Sequence, residues 1–121
     1  MEEIADHDHV YRRLTPHHLR PDGTVNSYAF MLYGEPDPHL SVDLAKLTTP
    51  QEAASRGRRP GTGVGSFTAA VPRSVGLTVK HDPLPENVAH SLIEGATSKE
   101  QCRRLAEAVA IVIRPHTMPR R

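Results

Sequence analysis

The sequence contains no tryptophan, a single cysteine and no long apolar run. One cysteine, Cys102, excludes an internal disulfide and gives no sign of an oxidising compartment. The longest apolar run, AVAIVI at 108–113, is far too short to span a bilayer. The N-terminus, MEEIADHDHV, is acidic and lacks the apolar segment of a signal peptide. These absences predict a soluble, cytoplasmic protein that is not associated with a membrane.

Size and charge narrow the function classes further. The chain has 121 residues, which is the size of one compact domain, and a net charge of +1 with neutral histidine. A charge so close to neutral gives no general attraction to nucleic acid or membranes. Arginine far outnumbers lysine, and proline, alanine and histidine are frequent, a composition typical of a high-GC bacterial genome.

The pattern along the chain predicts one domain with two tails. An acidic, mobile tail is expected at 1–9, a single α+β domain at 10–113 and a basic C-terminal tail at 114–121. Segment 24–34 fits either a strand or a short helix. Alternating apolar residues or β-branched and aromatic content predict strands at 10–14, 40–47, 64–71 and 77–81.

Two helices begin at recognisable capping signals. Thr49 is followed by Pro50 and Glu52, which predicts a short helix. Ser98 with Gln101 three residues later predicts an amphipathic C-terminal helix over about 98–113. Helices and strands mix without strict alternation. The fold class predicted is therefore α+β, a small, mostly antiparallel sheet with one or two covering helices.

The segment TVKHDPLPENVAHSLIEG, at 78–95, has two interpretations. A helix over 86–94 is favoured, because Pro85 suits its first turn and Gly95 its end. In the alternative, 77–81 and 88–93 are two strands joined by a turn, and both histidines of the segment lie on one sheet face.

The same segment supplies the candidates for catalysis. An enzyme would use His81 or His90 as a general base, with Asp82 or Glu94 orienting the imidazole. Arg12 or Arg13 would stabilise a developing anion, and the set favoured is Arg12, His81, Asp82 and His90. This interpretation requires the four side chains to converge in one pocket. It describes a small enzyme acting on a nucleotide or nucleic acid. Otherwise His-Asp-Pro is an ordinary turn, and His90 is a solvent-facing residue.

Other binding signals are weak. Arg56, Arg58 and Arg59 precede GTGVG at 61–65 and are candidates for anion binding, but the loop lacks the lysine and context of a nucleotide motif. The histidines do not form a zinc-binding pattern, so no metal and no cofactor are predicted. Stacking aromatics and a large basic excess are missing, which disfavours nucleic acid as the partner.

Two short segments carry a resemblance to a known family. VYRRL at 10–14 followed by LSVDL at 40–44 resembles strands of ADP-ribosyltransferase-like domains, and no catalytic residue is assigned from it. The sequence otherwise has no specific catalytic motif. Size, near-neutral charge and charged tails favour a small bacterial accessory or partner-binding module without catalytic activity of its own, with a protein as its partner.

Overall fold

A single antiparallel sheet organises the chain in the computed structural model, which describes residues 1–31, 39–95 and 98–117. The strands are β1 (His9–Leu14), β2 (His39–Leu44), β3 (Gly63–Thr68), β4 (Thr78–His81), β5 (His90–Glu94) and β6 (Ala110–Ile113). Their order across the sheet is β4-β5-β2-β1-β3-β6. The helices are α1 (Pro50–Ser55), α2 (Ala70–Ser74) and α3 (Lys99–Ala108), with 3-10 turns at Pro16–His18, Ser27–Phe30 and Ala45–Leu47. This arrangement confirms the α+β class.

Alternation along the central strands divides the sheet into an apolar core face and a polar second face. Val10 pairs with Leu44, whereas the next residue, Tyr11, pairs with Asp43. Because successive side chains point to opposite sides, the apolar pair and the polar pair lie on different faces. α3 and the Ser27–Phe30 turn pack together over the core face. The largest side chains buried there are Phe30, Leu14, Leu40, Leu44, Ile93 and Leu105.

The second face is only partly covered by a helix. α1 contacts β1, β3 and β6, and Ala53 of α1 and Val64 of β3 are both fully buried outside the main core cluster. Farther along this face, β2 and β5 present Ser41, Asp43 and His90, since Asp43 and His90 are paired across the two strands. Polar side chains therefore collect on the β2–β5 half.

The helix predicted over 86–94 is wrong. Residues 90–94 form β5, which is paired with β2 on one side and β4 on the other. Pro85 belongs to a tight turn in which Leu84 and Asn87 exchange two backbone hydrogen bonds of 3.0 Å. Strand pairing along both edges of β5 satisfies its backbone groups, and this long-range contribution outweighs the local helix signals.

The helix predicted over 98–113 is not confirmed over that range. Ser98 caps α3 and forms a capping box with Gln101, but α3 ends at Ala108. Ala110–Ile113 then run as β6 beside β3. Three of these four residues are β-branched, and such residues favour the pleated sheet over the helix.

The remaining segments follow the predicted strands with shifted ends. β2 stops at Leu44, and the 3-10 turn Ala45–Leu47 replaces the end of the strand predicted at 40–47. β3 ends at Thr68, so the strand predicted at 64–71 gives way to α2. In segment 24–34 the described residues contain the Ser27–Phe30 turn, while 32–34 lie outside the described residues.

The two ends of the described chain are tied to the sheet. Ile4, within the segment predicted as a tail, is 7% exposed and belongs to the core cluster. His116, beyond β6, donates its backbone N–H to Gly61 O at 2.9 Å. None of the helices in the described ranges has the length and apolar character needed to cross a bilayer.

Replacing Leu105 tests the packing of α3. The Leu105→Ala variant should lose about 2–5 kcal/mol of unfolding free energy, because a fully buried leucine leaves a cavity that its neighbours only partly fill. Urea denaturation measures this change. Glu107→Ala, on the exposed side of the same helix, is the matched control and should unfold like the wild type. Equal midpoints for both variants would contradict the packing.

Candidate functional site

A buried carboxylate on the second face holds the polar site together. Asp43 is fully buried. Its Oδ2 accepts hydrogen bonds from Arg13 at 3.0 Å and Arg56 at 3.1 Å, and its Oδ1 accepts one from Asn87 Nδ2 at 2.8 Å. A carboxylate removed from water has to be paired and hydrogen-bonded, and these three donors meet that requirement.

These partners come from different parts of the chain. Arg13 lies on β1, Arg56 follows α1, and Asn87 lies in the turn between β4 and β5. Arg56 also donates to Thr48 Oγ1 at 3.0 Å, and Asn87 Oδ1 accepts from the backbone of Ala89 at 3.1 Å. Asp43 therefore fixes the end of α1 and the β4–β5 turn against the centre of the sheet.

A concave basic surface begins where Asp43 holds the two arginines. One cleft of about 340 Å³ is lined by Arg13, Thr15, Arg56, Gly57, Arg58, Arg59 and Thr62. An adjoining cleft of about 580 Å³ is lined by Thr15, Pro16, His17, Arg59, Pro60, Thr62, His116 and Thr117. We call the two together the basic cleft. Among the described residues, its lining contains four arginines and no carboxylate.

The 57–62 loop is held at the end of β6. Gly61 has a positive φ of 83°, and an added Cβ would lie 2.1 Å from His116 O. Only glycine permits this conformation together with so close an approach. The approach accompanies the hydrogen bond from His116 N to Gly61 O. The basic cleft and the last strand are therefore parts of one surface.

The predicted anion-binding arginines all line this cleft, but they differ in pairing. Arg56 is ion-paired with Asp43. Arg58 and Arg59 are exposed, and the ion pairs of the described residues do not involve either of them. The positive charge available to a ligand is therefore mainly that of Arg58 and Arg59.

Two of the predicted catalytic residues meet on the second face. Nδ1 of His90 lies 3.1 Å from Asp82 Oδ2 and 2.9 Å from the main-chain oxygen of Asp82. The other ring nitrogen, Nε2, lies 3.2 Å from Ser41 Oγ. Ser41, His90 and Asp82 thus form a continuous hydrogen-bonded chain across β2 and β5, which we call the Ser41 relay.

The other two predicted catalytic residues are placed differently. His81 pairs with Ser91 and therefore lies on the opposite sheet face from His90. Its Nδ1 accepts from Glu2 N at 2.8 Å, and its Nε2 donates to Val88 O at 2.6 Å. Both ring nitrogens are occupied by backbone groups, so His81 has a structural role. The two-strand alternative for 78–95 is therefore wrong in placing His81 and His90 on the same sheet face.

Arg12 is largely enclosed and bonds to backbone oxygens. Its Nε donates to Ala29 O and its Nη1 to Ser41 O, both at 2.9 Å. Burial, with a smaller effect of neighbouring Arg13, lowers the pKa of Arg12 to about 10, so the guanidinium remains protonated at neutral pH. Arg12 thus reaches the main chain of Ser41 rather than its hydroxyl.

A neutral histidine lies near this arginine. His18 is half-buried, and its Nδ1 accepts a hydrogen bond from Thr15 N at 3.0 Å. Burial, together with the positive charges of Arg12 and His17, lowers the pKa of His18 to about 4. An acceptor nitrogen must be unprotonated, so the hydrogen bond and the low pKa agree.

Sequence reasoning missed Ser41 and Asp43. Both belong to LSVDL, in which the apolar residues Leu40, Val42 and Leu44 face the core. Alternation assigns Ser41 and Asp43 to the other face, and polar residues on one face of a strand are typical of a half-buried strand. The missing information was that this second face receives arginines and a histidine from distant segments.

The comparisons leave the function to be inferred from the side chains themselves. The chain matches no protein-family model, no curated protein and no solved structure. Within residues 1–31, 39–95 and 98–117, no group of three or more histidine, cysteine, aspartate and glutamate side chains is arranged to hold a metal ion. The function is therefore inferred from the basic cleft and the Ser41 relay.

Removing the buried carboxylate tests its structural role. Asp43→Ala should cost about 3–5 kcal/mol of unfolding free energy, because Arg13 and Arg56 lose the carboxylate that compensates their charge. Chemical denaturation provides the measurement. Glu100→Ala removes an exposed carboxylate that also contacts two arginines and should leave the denaturation midpoint unchanged. Comparable losses in both variants would contradict a special role for Asp43.

His18 should make stability depend on pH. Its folded pKa of about 4 lies below the ordinary histidine value of 6.5, so the unfolded chain binds more protons between these values. Stability should therefore fall as pH decreases from 6.5 towards 4. In His18→Asn the amide oxygen can still accept from Thr15 N without titrating, so denaturation midpoints at pH 7 and pH 5 should differ less than in the wild type. His7→Asn, at an exposed position, should keep the wild-type difference, and an equal difference in all three proteins would exclude His18 as the cause.

Proposed function

We propose that the protein is a partner-binding module that adds an extended, acidic segment of another protein to its sheet. The observation that carries the proposal is the combination of an open apolar edge strand, β6, with the basic cleft at its end. Among the strands that the structure describes, β6 is the outermost on its side of the sheet and pairs with β3. Its sequence is AIVI, and Val112 is 48% exposed.

An edge strand of this kind is suited to β-augmentation. Its outward backbone groups have no strand partner within residues 1–31, 39–95 and 98–117. Its side chains are apolar, without the charges that discourage further pairing. A second cleft of about 530 Å³, lined in part by Val109 and Ile111, lies alongside β6. Val109 and Ile111 offer apolar contacts to side chains of an added strand, and charged side chains line the rest of this cleft: Arg20, Glu107 and Arg114.

The opposite edge of the sheet is protected. β4 carries Lys80, which forms an ion pair of 3.3 Å with Glu94 on the neighbouring strand. Charged side chains, lysine above all, are a common means of preventing edge-to-edge association. The difference between the two edges favours β6 as the partner-binding edge and provides β4 as an internal control.

Charge favours an acidic partner. Arg58 and Arg59 stand exposed in the loop beside β6, and His116 lines the same cleft as Arg59. An acidic stretch next to the paired strand would neutralise these arginines, which speeds association and selects the partner. The anion-binding role expected for the arginines then becomes recognition of acidic side chains.

The enzyme alternative with four converging residues is less well supported. Asp82 and His90 are in contact, but His81 lies on the other sheet face and Arg12 bonds to backbone oxygens. The geometry thus offers no common pocket for the four, and we therefore favour binding over a nucleotide-directed reaction that uses all of them.

Site-specific photocrosslinking tests the proposal in cells that naturally make the protein. A photoreactive amino acid replacing Val112 should link the chain to a protein partner, with the cross-link in or beside an acidic segment. The same amino acid replacing Thr78, on the protected edge, is the matched control and should give little product. Equal products at both positions, or none at Val112, would contradict the proposal.

Charge reversal tests the contribution of the arginines. The double variant Arg58→Glu and Arg59→Glu should lower the yield of the Val112 cross-link about tenfold or more, because like charges now face the acidic segment. Arg104→Glu, on the exposed side of α3, should leave the yield unchanged. A yield that is insensitive to the double reversal would remove the basic cleft from the binding surface.

A further inference from the structure

The Ser41 relay lies on the second face and is not needed for partner binding at β6. Its three members stand in a row: Ser41 Oγ lies 3.2 Å from His90 Nε2, and His90 Nδ1 lies 3.1 Å from Asp82 Oδ2. A hydroxyl, an imidazole and a carboxylate in this order are the parts of a serine nucleophile with its base and orienting group.

The tautomer of His90 follows from its contacts. The main-chain oxygen of Asp82, 2.9 Å from Nδ1, can only accept a hydrogen bond. Nδ1 must therefore carry the hydrogen, and the carboxylate oxygen of Asp82 accepts from the same side. In the neutral ring Nε2 then has a free lone pair directed at the hydroxyl of Ser41, which is the geometry of a general base.

A second serine–histidine pair on the same face lacks the third member. Ser66 Oγ lies 3.0 Å from His9 Nδ1, but no other hydrogen bond to the His9 ring is found among the described residues. Ser66 is also buried, with 8% exposure. The serine of this pair is in contact with a histidine, but no carboxylate within the described ranges orients the imidazole, and the serine is more buried than Ser41. Ser66 is therefore an internal comparison for Ser41.

The relay is partly exposed to solvent. Ser41 is half-buried, and the side chains of His90 and Asp82 are 12% and 43% exposed. His90 is paired across the strands with Asp43, whose partners Arg13 and Arg56 keep about a quarter of their side chains exposed, 25% and 27%. A substrate at Ser41 therefore meets positive charge on the same face.

We propose that Ser41 is a nucleophile activated by His90 and oriented through Asp82, and that it acts on carboxylic esters whose acid portion carries a negative charge.

Ser41 Oγ forms a bond to the carbonyl carbon while its proton passes to His90 Nε2. The ester C–O bond then breaks, and the leaving alcohol takes that proton. Water, deprotonated by His90, hydrolyses the acyl-serine and restores the hydroxyl. This proposal replaces the expectation of a module without activity of its own and is independent of binding at β6.

Covalent labelling of the purified full-length chain tests the nucleophile directly. A fluorophosphonate forms an Oγ–P bond with an activated serine and releases fluoride, and the proton goes to the base. Peptide mass spectrometry should find the adduct on Ser41. His90→Ala should slow labelling about 100-fold or more, the range typical for loss of a general base. Asp82→Asn should slow it less, because the main-chain oxygen still holds Nδ1.

Control variants separate activation from simple exposure. Ser41→Ala should abolish the adduct, and His9→Ala should leave the labelling rate of Ser41 unchanged. Thermal unfolding of each variant establishes that it is folded. No adduct on Ser41 in the folded wild type, an equal rate in His90→Ala, or faster labelling of Ser66 than of Ser41 would overturn the proposal.

Turnover tests the proposed substrate class. Mono-p-nitrophenyl succinate, which carries a carboxylate, should be hydrolysed faster than the neutral p-nitrophenyl butyrate, and Ser41→Ala should lose both activities. Equal or reversed preference would overturn the role of charge. Cross-linking at Val112 does not depend on Ser41, so failure of the relay and failure of partner binding would be recognised separately.

Discussion

The buried carboxylate of Asp43 is the constraint on which the polar half of the molecule depends. A charge with no access to water is tolerated only when donors surround it, and the fold supplies Arg13, Arg56 and Asn87 from three separate segments. Satisfying this one group determines where α1 ends and how the β4–β5 turn closes. The basic cleft and the Ser41 relay lie on either side of that point.

Helix beginnings and strand alternation were readable from the sequence because both depend on neighbouring residues. Thr49 and Ser98 cap helices as predicted, since a capping hydroxyl needs only the backbone of the next turn. The strand at 90–94 was contained in the two-strand alternative but disfavoured against a helix, because the local helix signals carry no information on pairing with β2, which is distant in sequence. The end of α3 was missed for the same reason, because β6 forms only where β3 is available.

In the candidate site, too, contacts between residues close in sequence were predictable and contacts between distant residues were not. His90 and Asp82 were named correctly as a possible pair, since they stand eight residues apart in one segment and their chemistry suggests it. Ser41 supplies the hydroxyl that the His90–Asp82 pair would activate. It is 49 residues from His90 and lies in no recognisable motif. His81 resembled His90 in sequence, but strand alternation places it on the other face, where backbone groups occupy both nitrogens.

The distribution of charge decides what each surface can do. Arg13 and Arg56 share the charge of Asp43, so an anion beside them gains less than it would from two free guanidinium groups. Arg58 and Arg59 form no ion pair with the residues that the structure describes, so in the proposed complex they would contribute most of the attraction for an acidic segment. Arg13 and Arg56 also lie on the face that carries Ser41, where the proposed substrate would meet a partly compensated positive charge. The proposed partner-binding edge is thus the outermost strand, β6, whereas the proposed nucleophile lies on β2, in the interior of the sheet.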